Sequence, residues 1–161
     1  MTKVAIMGYG VVGSGLIELI DKNRENHSKN EILITSILVR NKDKYIDSSH
    51  REVITTSVEE FFSAESDVVI EVMGGLHPAY DYVKNALLLK KHVVTANKDL
   101  IATFGHELFQ LAKENNVSLK FEAAVAGGIP IIKPLTESLY GNGINSIQAI
   151  LNGTTNFILT K

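Results

Sequence analysis

Lys3-Val-Ala-Ile-Met-Gly-Tyr-Gly-Val-Val-Gly13 is the stretch that decides the fold. Val4–Met7 is continuously apolar rather than alternating, as in a strand buried on both faces. Gly8-x-Gly10-x-x-Gly13 follows at once, and from residue 11 to about 22 the pattern turns helical, with Val12, Leu16, Leu19 and Ile20 expected on one face. The glycine pattern alone is weak. Between a strand and a helix it becomes the dinucleotide fingerprint. Gly8 permits a tight turn, Gly10 lets backbone approach a pyrophosphate, and Gly13 lets the helix pack on the strand. Tyr9, Val11 and Val12 carry the intervening backbone, and the helix N-terminus offers N–H donors and positive potential to phosphates. The rival reading is a glycine-rich turn that holds no ligand.

Working outward, apolar runs keep alternating with helical patterns. Ile32–Val39 reads as a second strand, and the charged residues 41–52 as a surface loop. Ser57-Val-Glu-Glu60 is a capping box opening a short helix through Phe61 and Phe62. Asp67–Val72 is a strand, Pro78 to about Lys90 a helix, and His92–Thr95 a strand. Leu100 to about Asn115 is a helix and Val117–Ala123 a strand. Pro130 to about Tyr140 reads as a helix stopped by Gly141 and distorted by Pro134, and Ile144–Leu151 as a last strand. Apolar strands alternating with helices predict an α/β fold: a doubly wound parallel sheet of the Rossmann type. Ligands then bind at the carboxyl ends of the strands. The loops there carry Gly8–Gly13, Arg40, Gly74-Gly75, Ala96–Asp99 and Ala124–Gly128.

Composition narrows the class. The 161 residues carry a net charge of −2, which gives no electrostatic case for nucleic acid or an anionic membrane. There is no cysteine, so thiolate nucleophiles, disulfides and Cys-ligated zinc are excluded. The chain shows neither a signal-peptide pattern nor an apolar run of roughly 18 residues, and a cytoplasmic protein is the expectation.

Several polar residues fall on the ligand edge. Dinucleotide domains that prefer NAD place a carboxylate at the end of the second strand. Here Arg40 stands there, followed by Lys42 and Lys44, and it can clamp a 2′-phosphate. This favours NADP and leaves NAD open; the alternative is a solvated basic loop. Met73-Gly74-Gly75 follows a strand, where the glycines serve either close approach to a cofactor or a plain turn. Thr95-Ala-Asn97-Lys98-Asp99 ends a strand and starts a helix, capped by Asn97 or Asp99. A cation at a helix N-terminus opposes the dipole, so Lys98 is a candidate to polarise a carbonyl or hold a carboxylate, against the reading of a solvated lysine. Glu122 ends an apolar strand before a small-residue loop. A hard-cation site, a pair with Lys98, a cap for the next helix and bonds to nearby backbone all compete for it. Gly127 and Gly128 are expected to expose a second helix N-terminus towards the same edge. His77 and the other four histidines read as ordinary surface, with no metal-ligand spacing among them.

Taken together, Gly8–Gly13, Glu71-Val-Met-Gly-Gly75, Val93-Val-Thr-Ala-Asn-Lys-Asp-Leu-Ile-Ala102, Phe121-Glu-Ala-Ala-Val-Ala-Gly-Gly-Ile-Pro-Ile-Ile132 and Gly153-Thr-Thr-Asn156 resemble homoserine dehydrogenase over essentially the whole chain. The resemblance implies reversible, NAD- or NADP-dependent oxidation of L-homoserine to L-aspartate 4-semialdehyde. It also implies an active-site role for Lys98, and a monovalent-cation site (Na+ or K+) at Glu122 with the carbonyls of Val125, Gly127 and Ile129. Gly153 and Thr154 would open the substrate domain, so the expected division is a cofactor domain over residues 1–150 and the beginning of a second domain over 151–161. The rest of that domain, with the family's second catalytic lysine and its homodimer contacts, is expected beyond Lys161, and no kinase domain is expected before the first strand. The chain alone should bind cofactor and turn nothing over. A non-catalytic NADP-binding module and a dehydrogenase of another amino-acid or sugar derivative are the rival readings.

Overall fold

The computed structural model describes residues 1–25 and 31–149. Six parallel strands form one sheet in the order β3-β2-β1-β4-β5-β6. They are β1 (Thr2–Met7), β2 (Ile32–Leu38), β3 (Ile54–Thr55), β4 (Val68–Glu71), β5 (His92–Thr95) and β6 (Leu119–Lys120). The helices are α1 (Val11–Glu25), α2 (Val58–Ser63), α3 (Ala79–Leu88) and α4 (Lys98–Glu114). Order 3-2-1-4-5-6 is the doubly wound Rossmann arrangement, as expected from the alternation.

The pleat of β1 explains the two-sided core. Val4 and Ile6 pack with Ile17, Ile20, Ile34 and Ile37 on one face. Ala5 and Met7 point the other way, into a cluster with Val83, Leu87, Leu100 and Leu108 from α3 and α4. A strand buried on both sides has no polar position to alternate with, and hence reads as a continuous apolar run.

Helix α1 turns a different face inward from the one expected. Gly13, Ile17 and Ile20 are buried, whereas Val12 and Leu19 are 57% and 60% exposed. The contact at Gly13 sets this rotation. A Cβ there would lie 2.3 Å from the Gly8 carbonyl oxygen, so only glycine lets the helix sit this close to the β1 turn. Residues at i, i+4 and i+7 from Gly13 then face the sheet.

Other boundaries also moved. Residues 41–52 are not a featureless loop: they hold a 3-10 turn over Lys42–Tyr45 and, with Val53, a second over Arg51–Val53, and lead into the unexpected edge strand β3. Pro78 sits at the N-cap of α3, one residue before the helix. Strand β6 is only two residues long, because Glu122–Ala124 turns into a 3-10 bend. The helix expected from Pro130 to Tyr140 shrinks to a wide π-turn over Pro134–Ser138. Pro134 lacks the N–H that a regular ladder requires there, and Leu139 N–H reaches the Pro134 carbonyl at 3.0 Å instead. Residues 144–149 join no sheet. Ile144 and Ile147 are 44% and 60% exposed, so this apolar run has no ladder to enter among the described residues. The end of that expected strand, 150–151, lies outside them, as do Gly153 and Thr154.

Candidate functional site

Register places one row of residues along the carboxyl edge: Thr55, Leu38, Met7, Glu71 and Thr95 are successive cross-strand partners. Four of the loops singled out on that edge follow this row, and the fifth, Ala124–Gly128, comes after the neighbouring strand β6. Between β1 and β4 the strand order reverses, and a cleft of about 400 Å³ opens there, lined by Gly8–Gly10 on one side and Val72–Met73 on the other. This is the crevice in which doubly wound sheets bind ligands.

The glycine loop is built for that crevice. Gly8 has φ +107°, and a Cβ on it would come within 2.8 Å of the Val72 carbonyl oxygen. Gly10 is different: a Cβ there would meet no protein atom within 4 Å. Packing therefore does not demand glycine at position 10, whereas the close approach of a pyrophosphate does. Val11, Val12 and Gly13 form the first turn of α1, where backbone N–H groups have no intrahelical acceptor.

At one end of the cleft stand Arg40, Asn41, Lys44 and Tyr45. Arg40 is exposed just past β2, and no carboxylate lines the cleft among the described residues. Asn41 accepts from Asp43 N–H at 2.8 Å and thereby starts the turn that brings Lys44 to the cleft. The Tyr45 ring lies flat on Tyr9, with centroids 4.6 Å apart and planes 3° from parallel.

The loops after β4 and β5 are joined by a feature that sequence reading passed over. Glu71 is fully buried at the end of β4. Its Oε1 accepts from Met73 N–H at 2.8 Å and Gly74 N–H at 3.3 Å, and its Oε2 accepts from the Thr95 hydroxyl at 2.5 Å. The available signal was a carboxylate set between Ile70 and Val72 immediately before two glycines. Gly74 and Gly75 have φ +73° and +74°, so the turn itself requires them. Thr95 is fully buried, and Asn97 is 6% exposed. Asn97 is the cap of α4: its Oδ1 accepts from Leu100 N–H at 3.1 Å, while its Nδ2 donates to the Gly75 carbonyl at 2.6 Å. Lys98 is exposed on the first turn of α4 and makes no hydrogen bond or ion pair among the described residues.

Glu122 is half-buried and caps the turn that follows it. Oε1 accepts from Ile131 and Ile132 N–H at 2.5 and 2.9 Å, and Oε2 from Lys133 N–H at 2.8 Å. Two of the four readings open from sequence, the cap and the bonds to nearby backbone, describe these contacts. The N–H groups expected to face a ligand beyond Gly127 and Gly128 are instead turned on this carboxylate. Desolvation pushes the Glu122 carboxyl up, but the three backbone donors and the Lys133 charge outweigh it and hold the group below its ordinary value.

No group of three or more His, Cys, Asp or Glu side chains forms a metal site among the described residues. His77 has an acidic partner not seen from sequence, Asp81 at 3.0 Å, but both are about 60% exposed. A second cleft of about 490 Å³ lies at the opposite edge of the sheet, between residues 62–67 and 89–92. Its Lys91 ammonium is occupied by the Ser66 hydroxyl at 2.7 Å and the Ala64 carbonyl at 3.1 Å. No helix among the described residues is long and apolar enough to cross a membrane.

The family model described as homoserine dehydrogenase, NAD binding domain, matches residues 8–122, from the first glycine of the loop to Glu122. The chain belongs to the homoserine dehydrogenase NAD-binding domain family. A second model, described as homoserine dehydrogenase, matches residues 130–161. The homoserine dehydrogenase of Bacillus subtilis is 44% identical over 164 residues, covering 99% of this chain and 38% of that protein. That of Synechocystis is 44% identical over 162 residues, covering 99% and 37%. The solved homoserine dehydrogenase of Thiobacillus denitrificans superposes with a TM-score of 0.80 at 41% identity, over 88% of this chain and 34% of that one. The chain thus spans less than half the length of these homoserine dehydrogenases, and its membership of the NAD-binding domain family supports a nicotinamide cofactor.

Proposed function

We propose that the full-length protein is an NADP-preferring homoserine dehydrogenase of the cytoplasm, acting as a homodimer. In this reading residues 1–150 form its cofactor domain, and residues 151–161, with Gly153 and Thr154, open its substrate domain. The reaction is reversible hydride transfer between L-homoserine and L-aspartate 4-semialdehyde. The observation that carries the reading is the cleft at the strand-order reversal. There a family glycine loop faces Arg40 and Lys44, with no carboxylate among the described lining residues to repel a 2′-phosphate.

The site residues fit the cofactor: Gly10 leaves room for the pyrophosphate, and the first turn of α1 offers it donors. A bound nicotinamide supplies the hydride acceptor or donor. The chain's own residues hold and orient it. Gly8–Gly13 take the phosphates, Arg40 and Lys44 the 2′-phosphate, and the 73–75 and 95–98 loops border the other half. Lys98 is the proposed catalytic residue. Its ammonium is unengaged among the described residues, and it stands at a helix start where a cation is disfavoured unless a ligand uses it. Near the substrate oxygen it would stabilise the negative charge that develops there as the alcohol proton leaves or, in the reverse direction, as hydride arrives at the carbonyl carbon.

A monovalent cation at Glu122, with the carbonyls of Val125, Gly127 and Ile129, is the proposed accessory ion. Supporting it, the carboxyl stays ionised. An ionised carboxylate has about four lone-pair positions, and the three N–H bonds leave one of them to contribute to a cation beside the loop carbonyls.

The test is homoserine-dependent reduction of NADP and NAD by the full-length protein. Faster turnover with NADP is expected, and no turnover with either cofactor would refute the reading. The 161-residue chain should bind NADP(H) with negligible turnover.

A further inference from the structure

Glu71 is the only ionisable side chain in the buried set among the described residues, and the proposed chemistry makes no use of it. Burying a carboxylate is strongly unfavourable unless its oxygens are well bonded. Here they are, and the bonds close a ring. Glu71 holds Met73 and Gly74 N–H through one oxygen and the Thr95 hydroxyl through the other. The Thr95 hydroxyl oxygen accepts from Asn97 N–H at 3.0 Å. Asn97 Nδ2 returns to the Gly75 carbonyl, on the loop that Glu71 anchors. The loop after β4 and the loop after β5 are therefore fixed to each other through one carboxylate.

The position of that ring matters. A doubly wound sheet binds one mononucleotide on each half. The β1–β3 half ends at Arg40 and Lys44, where the adenosine ribose lies, and this leaves the β4–β6 half for the nicotinamide mononucleotide. The two loops tied by Glu71 are the carboxyl-end loops of β4 and β5, and the second runs straight into Lys98.

We propose that Glu71 is a positioning residue for the nicotinamide half: it sets the Met73–Gly75 and Thr95–Lys98 loops relative to each other without touching the cofactor. An apolar side chain of similar size would fill the same space but leave the Met73, Gly74 and Thr95 donors without an acceptor. The proposal rests on the dinucleotide reading of the cleft.

Two probes separate this from a general effect on folding. NADPH engages both halves, whereas 2′-phospho-ADP-ribose lacks the nicotinamide. In the full-length protein, Glu71→Gln should keep its affinity for 2′-phospho-ADP-ribose within about twofold and lose roughly tenfold for NADPH, the scale of a hydrogen bond to a charged group. Thr95→Val, which removes the hydroxyl between Glu71 and Asn97, should show the same selective loss, and Thr95→Ser should recover most of it. This second pair decides the matter if Glu71→Gln does not fold. Parallel losses for both probes, or no loss for either, would overturn the positioning role. Wild-type protein that binds neither probe would overturn the dinucleotide reading itself.

Discussion

Tyr45 donates its hydroxyl to the Tyr9 carbonyl at 2.9 Å while its ring stacks on the Tyr9 ring. Tyr9 lies between the first two glycines of the phosphate loop, and Tyr45 ends the turn that carries Lys44. One residue pair thus fastens the basic segment after β2 to the loop after β1. The Tyr9 hydroxyl adds a bond to Ser48 at 3.1 Å.

Loosening that fastening should weaken cofactor binding. A stacked pair contributes about 0.5–1.5 kcal/mol beyond burial, and a hydrogen bond a similar amount. Tyr45→Ala is expected to weaken NADPH binding roughly tenfold, and Tyr45→Phe, which keeps the stack, only about threefold. A fluorescence titration of NADPH reads both. Wild-type affinity in Tyr45→Ala would mean that the pair is incidental.

Arg40→Ala should discriminate between cofactors. A charge-assisted pair with a 2′-phosphate contributes about 1.5–3 kcal/mol. NADP(H) affinity should fall roughly ten- to a hundredfold while NAD(H) affinity changes little. Lys44→Ala should act in the same direction with a smaller effect. Equal losses for the two cofactors would remove the support for NADP preference.

Gly10→Ala and Gly13→Ala should fail in different ways. A Cβ at Gly13 meets the Gly8 carbonyl oxygen at 2.3 Å and must push α1 from the sheet, a change of the order of 1–3 kcal/mol or more. Thermal unfolding should move down by several degrees. A Cβ at Gly10 meets no protein atom, so the unfolding temperature should hold while NADPH binding is lost. If Gly10→Ala binds normally, the crevice does not hold a pyrophosphate there.

Lys98→Ala in the full-length protein should lower kcat and kcat/KM together, with cofactor affinity little changed. By comparison with removal of a charged donor at a reacting oxygen, the expected loss is about 3–4 kcal/mol. Steady-state kinetics with both substrates varied, plus a direct cofactor titration, measures it. A kcat within a few-fold of wild type would return Lys98 to the solvated helix start.

Glu122 gives a pH dependence with a definite sign. Its folded pKa lies below the usual 4.5, so the cap is fully effective above the unfolded value and is lost as pH falls through the lower, folded one. Hydrogen exchange of the Ile131, Ile132 and Lys133 amides should therefore show protection at neutral pH that fades below about pH 4.5. Glu122→Gln should remove protection at Lys133 first, because its amide nitrogen cannot accept. Protection that does not respond to acid would mean that the carboxylate is not the acceptor.

The sheet was legible from sequence because a strand covered on both faces is largely apolar or β-branched: Val4–Met7 is apolar throughout, and Ile32–Leu38 and Val93–Thr95 are rich in β-branched residues. The glycine loop was legible for a similar reason: Gly8 answers to a local φ, which the chain writes at the position where it is needed. The rotation of α1 was not, because Val12, Leu16, Leu19 and Ile20 make as good a stripe as the true one until the Gly8–Gly13 contact selects among them. Glu122 had four readings on paper, and only the folding back of residues 131–133 showed which backbone groups its carboxylate bonds. Glu71 was hidden most completely. Its meaning lies in Thr95 and Asn97, two dozen residues away in the chain and adjacent only across β4 and β5. Sequence by itself determined the properties that a residue carries locally, namely hydropathy, backbone freedom and charge. Tertiary structure alone decided which polar groups satisfy one another, because hydrogen bonds between loops depend on strand order and register, which no single stretch of chain contains.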